Sequence, residues 1–495
     1  MAVQEVSVIE GVGSLLDDDG KPKRRGTAWT ASAHIITAVI GAGVLSLAWA
    51  MAQLGWIIGI ALMLLFAIVN LYTSNLLADC YRSPDPITGK RNYAYMEAVR
   101  SNLGGKMHMV CAFVQYSNLV GLAIGYTITT AISVVTIRKI NYFHHNGTAA
   151  SCRFLINPYI IGFGTIEIIL SQVPNFDKLS WLSIIAALMS FGYASIGAGL
   201  SIATVIQGAK ICFVCNGLRV FIFGKPWIEA GKGKATYLMW GSKIQSPANN
   251  LWNMLIALGN IALASGYSLI AIDIQHEKQD SLRSLPPENE VMKMANKISI
   301  STMVVFFLVC ACSGYATFGS ETPGNILLSS GFKEPFWLID LANVFIVVHL
   351  LGAYQVVVQP IFSAVETCAS QRWPSSSFVN GKYPFRIGKM KFSLSFFRLV
   401  WRSIFVVLVT ILAMAMPFFN EMLALLGAMG FYPLTIYFPV EMYIARKKIK
   451  RGAKRWLGLK TLSLVFMLLS MAIACAAIHG MNQALRKYKF FMYKE

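Results

Sequence analysis

His34-Ile-Ile-Thr37-Ala-Val-Ile-Gly41-Ala42-Gly43-Val-Leu-Ser46 is apolar enough to lie in a bilayer, yet it carries two glycines two apart and a serine at its middle. Glycine holds helical conformation poorly. Inside a membrane, a broken helix is tolerated only where the freed backbone groups line a cavity or a site. The stretch therefore predicts a membrane helix interrupted halfway. Working outward, it sits in the first of eleven apolar runs, each close to the length of about 20 residues that crosses a bilayer core. They span roughly 28–51, 55–78, 109–137, 157–173, 179–207, 250–275, 298–318, 335–365, 398–417, 422–445 and 459–480. Five spans after the first break, span 6 reads Asn260-Ile-Ala-Leu-Ala264-Ser265-Gly266-Tyr267-Ser268, again small and polar at mid-span. Matching breaks in the first helix of each five-helix half predict an inverted-repeat transporter.

The composition agrees. Of 495 residues, 56% are hydrophobic and 13% are charged, against about 25% charged in soluble domains. An ordinary cytosolic enzyme and a disordered chain are both excluded. The formal charge of +20 is not a nucleic-acid footprint, because 29 of the 43 Lys and Arg fall in the tail and alternate loops of one face. The positive-inside rule makes that face cytoplasmic, with the N-terminus inside and the C-terminus outside. The sequon Asn146-Gly147-Thr148 falls in an outer loop, where Asn146 is a glycosylation candidate.

The expected organisation is a cytoplasmic tail (1–27), a first five-helix repeat (28–207) and a divergent basic loop, read as extracellular (208–249). A second repeat (250–445), a basic cytoplasmic loop (446–458), an eleventh helix (459–480) and a C-terminal tail (481–495) follow. The loop is the segment that strains the charge rule, with Lys210, Arg219, Lys225, Lys232, Lys234 and Lys243.

Ionisable groups at membrane depth are functional by default. His34, about two turns into span 1, is a proton-coupling candidate, since histidine is the side chain suited to carrying a proton at physiological pH. Glu167 in span 4 is a second, with functional and structural readings balanced. His349, midway along span 8, reads as a structural residue. Glu366, Arg398 and Arg402 read as ion pairs between helix ends. Tyr126 and Thr130 share a face of span 3 and are candidates to line a polar cavity. Cys212 and Cys215 make one pair without a second, a weak metal signal. No phosphate loop, HExxH or nucleophile elbow occurs, so nothing in the chain asks for an enzyme.

Long stretches then match a family. Thr30–Trp56, Ala78–Gly105, Ile169–Ala203, Glu288–Gly324, Glu334–Pro374 and Val400–Arg446, the last including FYPLTIYFPVEMYIAR, resemble plant amino acid permeases of the amino acid/auxin permease family. The resemblance implies an all-α polytopic protein with eleven transmembrane helices, as a five-plus-five inverted repeat with broken helices 1 and 6 plus one extra helix. It also implies proton-coupled import of amino acids across the plasma membrane, with H+ as coupling ion and no cofactor. The substrate carboxylate is implied at Gly41, Ala42 and Gly43, and its ammonium near Ala264, Ser265, Gly266 and Tyr267. His34 matches the family's span 1 histidine, and His349 and Gln355 lie in its span 8 motif, where the resemblance implies the bottom of the site. The chain departs from the family at Asn260, where Asp is usual, at Gly266, where an aromatic is usual, and at Glu167, where Gln is usual. Tyr142 replaces a cysteine, leaving Cys152 without its expected mate. Asn260 carries no titrating charge, which keeps a second reading open: a non-transporting amino acid sensor or a degenerate paralogue.

Overall fold

Span 1 is two helices rather than one. In the computed structural model the described residues are 27–85, 88–146, 154–172, 180–216, 247–267, 287–327, 332, 334–381, 383–387, 390–416 and 418–487. The first helix, Ala28–Val39, starts on a reciprocal cap in which the Thr27 hydroxyl accepts from the Thr30 amide and the Thr30 hydroxyl accepts from the Thr27 amide. It stops at Ile40, Gly41 is extended, and a tight 3-10 turn over Ala42–Ser46 leads into a second helix, Leu47–Leu54.

The other spans are Trp56–Asp79 (2), Gly105–Asn146 (3), Asn157–Ser171 (4), Ser180–Asn216 (5), Pro247–Ser265 (6), Glu288–Phe318 (7), Phe336–Arg372 (8), Phe396–Ala415 (9) and Lys454–Lys487 (11). Span 10 is Phe419–Gly430 and Phe438–Arg446, joined by a widened π turn over Phe431–Tyr437 that contains Pro433. Eight of these helices are long and apolar enough to cross a membrane. Outside these eight are span 1, divided into two helices, the short span 4, and span 6, which is described as far as Tyr267.

Several helices outrun their apolar cores. Span 3 runs to Asn146, span 7 begins at Glu288 rather than near 298, and span 11 covers 454–487 rather than 459–480. Span 5 continues to Asn216, so the first residues of the expected loop 208–249 are helical. A hydropathy window sees only the hydrocarbon thickness, whereas backbone hydrogen bonding continues into the polar layer until something stops it. Two small antiparallel hairpins also occur, Arg82–Ser83 with Lys90–Arg91 and Tyr383–Ile387 with Met390–Leu394.

The helix contacts carry the internal repeat. Spans 1 and 6, 2 and 7, 3 and 8, and 4 and 9 touch one another. Pairs 1–5 and 6–10, 1–7 and 2–6, 3–10 and 5–8, and 5–7 and 2–10 also occur together. Adding five to each span number maps one member of every such pair onto the other. Five is odd, so the second half enters the bilayer from the opposite face. Between spans 6 and 10 the backbones nearly touch, because a Cβ on Gly427 would collide with the Gly259 carbonyl.

Apart from the bonds of span 11 to span 10, the described hydrogen bonds between spans fall mainly into two sets. One joins spans 1, 2, 6 and 7: Ser32 to the Ala295 carbonyl, Ser299 to the Ser32 carbonyl, Asn70 to the Ser265 carbonyl, and Asn289 to Asp79. The other joins spans 3, 4, 5, 8, 9 and 10 through Asn118, Asn141, His349, Gln355 and Arg402. Links between the sets include Asn260–Asn420 and Thr317 to the Ser201 carbonyl, on the face that carries the 5–6 and 7–8 connections. On the opposite face, Glu288 at the start of span 7 is buried between Arg82 and Arg91 of the first hairpin.

Candidate substrate site at the two helix breaks

The two breaks lie back to back. A Cβ built on Gly43 would sit 3.2 Å from the Ala264 Cα and 3.3 Å from its Cβ, so glycine is what lets the backbones meet. Gly41 donates its amide to the Val39 carbonyl, and its carbonyl accepts from the Val44 amide at 3.1 Å. No side chain caps the start of the turn, leaving its first amides in the arrangement that favours an anion. Across the contact, span 6 ends at Ser265, with Gly266 exposed and Tyr267 buried outside the helix. Its terminal carbonyls supply the opposite polarity.

His349 joins them. Its Nε2 would lie 3.9 Å from a Cβ on Gly41, while its Nδ1 is 2.8 Å from the Ala186 carbonyl of span 5. A carbonyl only accepts, so Nδ1 carries a hydrogen and the neutral ring presents a lone pair from Nε2 toward the break. The Tyr193 ring packs edge-on at 5.8 Å and fixes the imidazole from behind. Depth and residue type alone read this histidine as structural, whereas the resemblance implies a place for it at the bottom of the site. The available signal was a histidine at mid-depth; its direction depends on a carbonyl 163 positions away.

The other expected site residues are distributed differently. His34 is half-buried, seven residues before Gly41, about 10 Å along a helix axis. Tyr126 packs at the junction of the two main cores. The span 3 hydroxyls of Thr127, Thr129 and Thr130 bond back to carbonyls of their own helix, so their hydrogens are used within the helix rather than offered to a cavity. Tyr267, expected near the substrate ammonium, is buried, and its hydroxyl donates to Asn296 Oδ1 of span 7 at 2.9 Å. It braces the break from behind. Ala42 lies in the 3-10 turn itself.

Glu167 belongs to a separate polar cluster. Gln355 Nε2 donates to its Oε2 at 2.6 Å and to Ser171 Oγ at 3.0 Å, and Arg402 donates to the Ser171 carbonyl. Arg398 and Arg402 both reach Glu366 at 2.8 Å, the ion pairs expected between helix ends. Gln355 is six residues beyond His349, about 9 Å along the helix. Asn260 is fully buried and donates to Asn420 Oδ1 of span 10 at 3.4 Å, while its own Oδ1 has no described partner. Asn146 is exposed at the last residue of span 3. The rest of its sequon, Cys152 and Ser268 lie outside the described residues.

Comparison with known proteins places this arrangement. The family described as transmembrane amino acid transporter protein matches residues 24–483. Amino acid permease 8 of Arabidopsis thaliana is 51% identical over 479 residues, 96% of this chain and 95% of the relative. Amino acid permease 1 of the same plant is 49% identical over 477 residues, 96% and 93% of the two chains. A solved nucleobase-cation-symport-1 family transporter, closed with bromovinylhydantoin bound, aligns with 96% of this chain and 97% of its own at 12% identity and a TM-score of 0.49, a likeness too loose to carry an argument. The near-complete match at about half identity settles the family: this chain belongs to the transmembrane amino acid transporters, and is a carrier rather than an enzyme.

Proposed function

We propose that this protein is a proton-coupled amino acid symporter of the plasma membrane, importing its substrate by alternating access. The observation that carries the reading is the apposition of Gly43 and Ala264. It puts a helix start and a helix end within reach of one small zwitterion. The carboxylate is held at the Gly41–Gly43 turn by the amides of Ala42 and Gly43, since the Gly41 amide is taken by the Val39 carbonyl, and the ammonium by carbonyls at Ala264–Gly266. The relatives bear the name amino acid permease, which supports the substrate class. The two hydrogen-bonded sets of spans support alternating access, because one set can rock against the other around a fixed site.

Protons enter this reading through His349, whose Nε2 faces the break, and through His34 on the same broken span. A proton on Nε2 adds positive charge beside the substrate carboxylate and strengthens its binding. Glu167 is a further proton-binding candidate, outside the breaks. Expression in a yeast strain lacking amino acid uptake tests the function, with growth on single amino acids compared at pH 5 and pH 7. Growth favoured at the lower pH is expected. Surface-expressed protein that supports no growth on any amino acid contradicts it.

A second reading is favoured by one observation. The Asn260–Asn420 amide pair joins the two sets of spans without a titratable group, as a sensor or a degenerate carrier would allow. Restored uptake in Asn260→Asp, from a wild-type chain that carries nothing, would identify the degenerate case and argue against a dedicated sensor.

A further inference from the structure

Span 6 ends where its carbonyls lose their helical donors, and in a bilayer no water replaces them. Span 2, otherwise strongly apolar around Phe66–Leu71, carries Asn70 at this depth. Its Nδ2 donates to the Ser265 carbonyl at 2.5 Å. Ser74, one turn on, donates to Asn70 Oδ1 at 3.3 Å. The Ser265 carbonyl only accepts, so the Asn70 NH2 faces it, and Ser74 holds the other end of the amide in place. A second tie follows the same logic: Tyr267 donates to Asn296 Oδ1 and Asn296 Nδ2 donates to Asn75 Oδ1 at 3.1 Å. Asn70 and Asn296 are buried, and each would be costly there without these partners. The cavity beside the break is lined by Leu47, Met63, Ala67 and Ile261 together with Asn70 and Ser265. Among the described residues, Asn70 is the side chain that donates to the Ser265 carbonyl.

We infer that Asn70, oriented by Ser74, is a positioning residue for amino acid binding: it satisfies the last carbonyl of span 6 and so fixes the broken end in the geometry that receives the substrate ammonium. The inference rests on the proposed function. Spans 2 and 6 lie in the same hydrogen-bonded set, so the tie persists as the two sets move past each other. Losing it weakens substrate binding while leaving the maximal rate.

The test is saturation uptake of the radiolabelled L-amino acid that the wild type carries fastest, normalised to surface protein, for the wild type, Asn70→Leu and Ser74→Ala. Asn70→Leu is expected to raise the apparent KM about tenfold, and Ser74→Ala about threefold, with the maximal rate per surface molecule within about twofold of wild type. A general structural role would instead lower surface protein and maximal rate, leaving KM unchanged. Unchanged KM in Asn70→Leu overturns the inference. If that variant does not reach the surface, unchanged KM in Ser74→Ala, which retains the amide, overturns it instead. A wild type that carries no amino acid overturns the proposed function, a result distinct from both.

Discussion

The two breaks do the same thing to the backbone by opposite means. In span 1 the interruption is made by what is missing: Gly41 and Gly43 have no side chains, and the 3-10 turn is stitched from inside, with Ser46 bonding to the Gly43 carbonyl. In span 6 the broken end is held by what has been added, with Asn70, Asn75, Ser74 and Asn296 tying it to spans 2 and 7. The difference follows from which groups are exposed. Span 1 offers amides toward an anion and must stay open for it, so bulk is excluded. Span 6 ends in carbonyls, which need outside donors to hold them where a cation can approach.

That contrast ranks the substitutions. The largest effect is expected at Gly43→Val, because the added carbons meet the Ala264 backbone and force the breaks apart. Overpacking of about 1–3 kcal/mol or more corresponds to a loss of uptake of about 5- to 150-fold, measured per surface molecule. Uptake near wild type would show that the close approach is not needed. His349→Ala comes next: uptake at pH 5 falls toward the pH 7 level, and the pH dependence between them flattens. A preserved pH profile would remove His349 from coupling and leave His34 to be tested in the same way. Asn260→Asp is smaller for affinity but diagnostic for coupling. It places a titratable group at the link to Asn420, and the ratio of uptake at pH 5 to that at pH 7 is expected to change while KM does not. The smallest effect is expected at Tyr267→Phe, which loses only the bond to Asn296, worth about 1 kcal/mol and about a fivefold rise in KM at most. A loss as large as that of Gly43→Val would mean that Tyr267 touches the substrate after all.

The same contrast explains what could be read from the sequence. Glycines two apart in an apolar run announce the span 1 break directly, and the small residues at 264–266 announce the second, because both are local backbone effects. The span count followed from hydropathy. The supports of span 6 stayed hidden, since Asn70, Asn75 and Asn296 look like scattered polar residues until folding brings spans 2, 6 and 7 together. The directions of the His349 and Tyr267 side chains are not legible in the sequence for one reason: spacing gives a residue's depth, whereas its direction is set by distant partners, the Ala186 carbonyl and Asn296. The extra turns of span 5 were missed because a helix continues beyond the hydrocarbon that hydropathy measures.

The central claim is that the two breaks form one amino acid site in a proton-coupled carrier. Amino-acid-induced current in oocytes expressing the wild type and Gly43→Val, recorded at pH 5 and pH 7, tests it most directly. An inward current on amino acid addition, larger at pH 5 and lost in surface-expressed Gly43→Val, is predicted. A wild-type current equal at both pH values, or one that persists in Gly43→Val, would contradict it.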